Sequence, residues 1–270
     1  MKNLASITLF FCAFTANAQS YGNFAGARSA GLGNATVAIS DVWSAHSNQA
    51  AITEIDKPTF GLSYAQRYQI QDLNQGFLSG VLPTSLGHFG LAVQYFGFDL
   101  YNETKIGLSY ARKFGTFLSA GFQASLEQHS IAQGNSPAAL YGEVSLLAKP
   151  TRNLHIGFHL YNPTRTTLAE ETGESLPTVG RLGARYQFRE EALITFEVEK
   201  QAEFKERYGL GIEMEFWQKS QLRAGMHLRE QWLSPSIGLG LKWQKFQLDA
   251  AWQSHPLLGS TFTYALSLEL

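Results

Sequence analysis

Cysteine is almost missing from this chain: Cys12 is the only one among 270 residues. A single thiol forms no intramolecular disulfide, so a disulfide-stapled fold is excluded. Long apolar runs are missing too. Past the N-terminus none approaches the roughly 18 residues that a spanning helix needs, which excludes a helical membrane bundle. Charge of one sign is not in excess, since the formal net charge is −1 with 16% charged residues. A strongly basic nucleic-acid binder is excluded on that ground. Metal-ligand spacings, phosphate loops and dinucleotide fingerprints are lacking in any credible context. Gly31-Leu32-Gly33 is a two-glycine turn with no strand before it. The sequence therefore implies no metal and no cofactor.

What is present is alternation. From Pro58 to Leu270, fourteen short segments interleave apolar and polar residues. The last is the clearest, with Phe262, Tyr264, Leu266, Leu268 and Leu270 set against Thr261, Thr263, Ala265, Ser267 and Glu269. Period two puts one face of a strand in an apolar medium and the other in a polar one. The expected strands are 58–67, 75–82, 87–96, 103–113, 116–128, 139–148, 154–161, 178–188, 192–200, 206–217, 221–229, 235–243, 245–253 and 261–270. Links after odd strands are long, such as 162–177, and those after even strands are tight, such as Phe114-Gly115 and Gln244. Outer-membrane barrels keep this rhythm, with short turns on the periplasmic side and long loops outside.

The N-terminus fits the same destination. Lys2, the apolar stretch Leu4 to Thr15 and Ala16-Asn17-Ala18 have the pattern of a cleaved secretory signal, residues 1–18. Residues 19–57 are rich in Gly, Ala, Ser and Asn with weak alternation, and read as a non-strand segment with a short helix near Ser44–Ile52. Residues 58–270 then form the barrel. The fold expected is all-β: a fourteen-stranded antiparallel transmembrane β-barrel in the outer membrane of a Gram-negative bacterium, in contact with its lipid.

Aromatic residues gather at strand ends. Tyr68, Tyr95, Tyr101, Tyr161, Trp232 and Trp252 fall on the long-loop side, and Phe114, Phe188, Trp217, Trp243 and Phe246 on the short-turn side. Two interfacial belts are the expectation. The lipid face includes Leu210, Ile212, Met214 and Phe216, and Ile237, Leu239, Leu241 and Trp243. The opposite parity turns charge inward. Glu197, Glu199, Glu213 and Glu215 form an acidic stripe, flanked by Arg181, Arg185 and Arg223. Two roles are open for such a stripe: ion pairs that hold a filled lumen together, or an ion-selective path.

Catalysis is not indicated. His155 and His159 share a face but lie four residues apart, about 13 Å along a strand, too far for joint metal ligation. No nucleophile, base and orienting group can be assigned together, so the expectation is a non-enzyme.

One stretch carries a resemblance. Ala27-Arg28, Gly31-Leu32-Gly33, Val37-Ala38 and Asn48-Gln49-Ala50 follow one another between Gly26 and Ile52. In this the chain resembles the PorV/PorQ-type outer-membrane barrels of Bacteroidota, distant relatives of the FadL long-chain fatty-acid transporters. Gln49 stands where the family has proline. The resemblance implies that Ala27, Arg28, Gly31, Gly33, Asn48, Gln49 and Ala50 belong to a hatch folded into the lumen, with Arg28 and Asp41 bonded to lumenal charges. It further implies a partner-binding component associated with type IX protein secretion or surface attachment, its partners being secretion-system subunits or secreted cargo. The alternative is a FadL-like channel for small hydrophobic ligands.

Overall fold

A strand in lipid must pair every backbone N–H and C=O, so a membrane sheet has to close on itself. The computed structural model describes residues 24–169, 174–202, 204–217 and 219–270. The expected signal peptide, and residues 19–23 of the expected hatch, lie outside the described residues. The strands are β1 Thr59–Gln66, β2 Asn74–Thr84, β3 Gly87–Phe98, β4 Tyr101–Phe114, β5 Leu118–Ile131, β6 Ala138–Ala148, β7 Leu154–Tyr161, β8 Thr167–Ala169, β9 Glu174–Ser175, β10 Val179–Arg189, β11 Ala192–Gln201, β12 Arg207–Phe216, β13 Ser220–Arg229, β14 Trp232–Trp243, β15 Phe246–His255 and β16 Gly259–Glu269. Fourteen of them close an antiparallel barrel in chain order, and β1 completes it by pairing with β16 from Thr59↔Glu269 to Gln66↔Phe262. The remaining two, β8 and β9, form a small hairpin of their own inside the long link between β7 and β10.

The faces follow the alternation. Along β12, Leu210, Ile212, Met214 and Phe216 are exposed on the outer surface while Glu213 between them is buried. The same holds for Ile237, Leu239, Leu241 and Trp243 on β14. An arginine or lysine moved to that outer face at mid-membrane would cost about 2–4 kcal/mol, which is why a one-residue slip in register is forbidden.

Residues 24–57 lie within the barrel. They carry two short helices, α1 Ala27–Gly31 and α2 Ser44–Ser47, and a 3-10 turn at Gln49–Glu54. The segment meets the wall from β2 to β6 and from β13 to β16. Ala27, Ala45 and Ile52 have no solvent exposure, and they join Val42, Trp43, Phe77, Val81 and Ala111 in the largest apolar cluster.

Several expectations need correction. Helix was expected only near 44–52, and α1 was not foreseen. Its glycine-flanked, five-residue sequence has little propensity of its own, so burial rather than local preference forms it. Strand β14 starts at Trp232, three residues before the expected start at Pro235. Residues 232–235 pair with β13 alone, an edge position that tolerates a proline's missing N–H. The outer aromatic belt is also thinner than expected. Tyr161 is fully buried and Tyr101 bonds to Glu103, so both serve the interior, and Tyr68 and Trp232 line an internal cavity. On the short-turn side, Phe114, Phe188, Trp217, Trp243 and Phe246 are exposed as a belt requires.

Candidate functional site

The site is built where the inner segment meets the wall. Its chain passes so close to the strands that side chains are excluded on both sides. Gly33 has φ +63°, and a Cβ there would lie 2.3 Å from the Met226 carbonyl oxygen. On the facing strand β13, a Cβ at Gly225 would lie 2.3 Å from the Gly33 nitrogen. At Gly157 on β7 the added atom would sit 2.1 Å from the Val37 oxygen. Inward glycines thus form a track on which backbone lies directly against backbone.

Wall side chains supply the hydrogen bonds that this buried backbone requires. Glu197 Oε2 accepts from the amides of Thr36 and Val37 at 2.7 and 2.8 Å, while its Oε1 accepts from Arg207 Nη2 at 2.8 Å. Arg207 also donates to the carbonyls of Gly33 and Asn34. Thr195 Oγ1 donates to Ala35 O at 2.7 Å. Ser236 bridges Gly31 and Gly33, donating to Gly31 O and accepting from Gly33 N.

The seven motif residues all fall on this contact. Ala27 packs in the apolar cluster. Arg28 reaches Glu213 with two bonds of 2.9 and 2.6 Å and Asp41 at 3.1 Å, a charge-assisted fork between wall and segment. Gly31 and Gly33 lie on the β13–β14 wall. Asn48 is fully buried. Its Nδ2 donates to Val37 O at 2.6 Å and Leu146 O at 3.1 Å, and its Oδ1 accepts from Ala50 N, capping the 3-10 turn. Gln49 Nε2 donates to Ala45 O and approaches Glu143 at 3.4 Å. Ala50 N also donates to Ser145 Oγ at 2.9 Å. No rigid proline kink is present at position 49; a buried amide takes its place.

The lumenal charges divide. Arg181 pairs with Glu199 at 3.0 Å, and Arg223 pairs with Glu213 and Asp249, both at 2.6 Å. Glu197 takes Arg207, and Glu199 also takes Arg229 at 2.6 Å. Two expected members stand apart. Arg185 meets His155, its register partner on β7, at 3.3 Å and bonds to Gln187; Thr195 faces it on β11, so the strands on either side bring it no carboxylate. Glu215 lies near the short-turn mouth, half exposed, 3.8 Å from Lys242. Arg207 was missed although it lies in the expected strand 206–217 with the inward parity of Glu213. A second cluster was missed as well: Glu143, fully buried, accepts from Lys105 at 2.6 Å, His159 at 2.9 Å, Ser125 at 2.7 Å and Gln123 at 3.0 Å. Its signal was the inward parity of Lys105, Gln123 and Glu143, but only the register says which of these meet.

Two groups of the inner segment are tied to its burial. Burial and the nearby Lys105 charge lower the His46 pKa from 6.5 to about 4, and His46 Nε2 lies 3.2 Å from Leu78 O. At the short-turn end, burial acts to raise the Glu54 carboxyl, but Lys149 at 2.6 Å and Lys113 at 3.2 Å outweigh it and hold the group below its usual range.

Near the long-loop side, Glu103, Glu127 and His129 bring ligand atoms within 4.8 Å of one another, the one such group among the described residues. Their polar atoms are engaged: Glu127 accepts from Tyr141, Tyr161 and His129, and Glu103 accepts from Tyr101.

Above the inner segment, toward the long loops, lies a cavity of about 220 Å³. Phe24, Ala30 and Asn34 of the segment line it together with Trp232, Thr263, His227 and Arg229 of the wall and with Arg67 and Tyr68 of the turn that follows β1. Three rings gather there. His255 is 5.9 Å from Tyr68 and 6.3 Å from Trp232, centroid to centroid.

No protein-family model matches the chain, and no curated protein matches it. Solved structures do. The toluene transporter TodX of Pseudomonas putida aligns with a TM-score of 0.68 at 13% identity, over 90% of this chain and 97% of that one. A FadL homologue of Pseudomonas aeruginosa aligns at 0.64 and 15% identity, over 89% and 98%. The CymD monoaromatic hydrocarbon channel aligns at 0.63 and 13% identity, over 91% and 97%. The chain thus has the fold of FadL-type outer-membrane channels.

Proposed function

We propose that this protein is an outer-membrane channel for small hydrophobic solutes, in which residues 24–57 act as a plug and the cavity above them is where a solute first binds. The observation that carries the reading is that cavity, floored by the plug and flanked by Tyr68, Trp232 and His255. An apolar cavity of about 150 Å³ already accepts benzene, so about 220 Å³ has room for a single ring with a substituent. The solved neighbours, described as a toluene transporter and a hydrocarbon channel, favour this reading over the secretion partner that the Gly26–Ile52 motif implies.

Uptake of a panel of monoaromatic and short-chain compounds by cells with and without the gene tests the proposal. Slower uptake of at least one compound on deletion, restored by the intact gene and not by Trp232→Ala, is the expected result. Unchanged uptake of every compound ends it. Purification under mild detergent separates the two readings: a solute channel is recovered alone, and a secretion component brings its partner chains.

A further inference from the structure

The cavity is not lined as a pure hydrocarbon site would be. Its apolar side is aromatic, but Arg67, Arg229 and Arg207 also line it, against the single carboxylate of Glu230. The arginines differ in what they already do. Arg207 is spent on the plug, bonding Gly33, Asn34 and Glu197. Arg229 turns Nη2 to Glu199, which is not among the lining residues. Arg67 makes no ion pair among the described residues and lies 5.5 Å from the Tyr68 ring centroid, a cation at the edge of the aromatic wall. Beside them, His227 Nδ1 is buried with no hydrogen-bond partner among the described residues. A buried polar atom left unsatisfied is costly, and a ligand oxygen in hydrogen-bond reach would recover that cost.

We infer that the cavity selects a small aromatic carboxylate over a neutral ring of the same size. The ring packs against the cluster of Tyr68, Trp232 and His255, and the carboxylate is received by Arg67, Arg229 and His227. A planar guanidinium suits a planar carboxylate, since its parallel N–H groups match the two oxygens. The cavity size limits the apolar body to about one ring. This inference rests on the solute-channel reading and narrows its substrate class.

The test compares benzoate with benzyl alcohol, a neutral molecule of nearly equal size, by equilibrium dialysis against the purified full-length protein in detergent. Benzoate is expected to bind at least tenfold more tightly. Arg67→Gln, which disturbs no ion pair among the described residues, is expected to cut that preference severalfold, and Arg67→Gln/Arg229→Gln to abolish it with benzyl alcohol binding unchanged. Barrel integrity is checked by heat-modifiable gel mobility. Equal binding of the two probes by the native protein, or an undiminished preference in a folded double variant, overturns the carboxylate inference and leaves the channel reading standing. Saturable binding of neither probe overturns both.

Discussion

Glu197 is the most exacting point at which to perturb the plug. One carboxylate oxygen accepts two consecutive plug amides, Thr36 and Val37, and the other accepts Arg207. The side chain is 1% exposed, so water does not substitute easily. A hydrogen bond to a charged group contributes about 1.5–3 kcal/mol, and Glu197→Ala removes two between wall and plug, about 3–6 kcal/mol of seating energy. At about 1.4 kcal/mol per tenfold, the unseated population rises roughly 10²- to 10⁴-fold. Glu197→Gln is the instructive partner. Its amide has one acceptor oxygen: turned to the plug it satisfies Thr36 and Val37 but presents N–H groups to Arg207, and turned the other way it opposes two N–H donors. An intermediate loss follows. Hydrogen exchange read by mass spectrometry on the peptide covering Thr36 and Val37 measures this, because those amides exchange when the plug opens as a unit. Protection is expected to fall at least a hundredfold in Glu197→Ala and by less in Glu197→Gln. Unchanged protection in a correctly folded Glu197→Ala barrel would show that the wall carboxylate does not seat the plug.

Other consequences follow from the same contacts. Gly157→Ala forces a Cβ to within 2.1 Å of Val37 O with backbone on both sides, an overpacking that costs about 1–3 kcal/mol and should raise exchange at 36–38; Gly180→Ala, whose Cβ meets only Leu160 Cδ1 at 3.9 Å, should leave it unchanged. Acid should loosen the plug. His46 titrates near 4 when seated and near 6.5 when released, so the released form binds the extra proton between those values and seating weakens as pH falls through that window. Glu54 adds to this at lower pH, since its held-down pKa gives stability that is present above about 4.5 and lost as pH drops through the seated value. Exchange of the plug at pH 4.5 should therefore exceed that at pH 7 once corrected for intrinsic rates, and His46→Gln should remove the upper part of the difference.

The barrel was readable because its rule is local. Parity along β12 alone says that Ile212 meets lipid and Glu213 does not, and thirteen more strands repeat the rule. Contacts that depend on closure were not readable. Arg185 has the right parity and charge for the network, yet register sets it opposite His155 and Thr195. Tyr161 carries the composition of an interfacial belt, yet it shares the inward face of His159 and bonds Glu127. The inward glycines could be found as side-chain gaps, but that Gly157 meets Val37 and Gly225 meets Gly33 belongs to the path of the plug through three dimensions. Helix α1 has no sequence signature, because the wall forms it.

A channel of this kind requires that residues 24–57 close the lumen of a conducting barrel. Planar-bilayer conductance of the purified protein, with and without that segment, measures this directly. The native protein is expected to stay closed or flicker rarely, and large, persistent openings are expected once the segment is removed. Equal conductance from both proteins would contradict it.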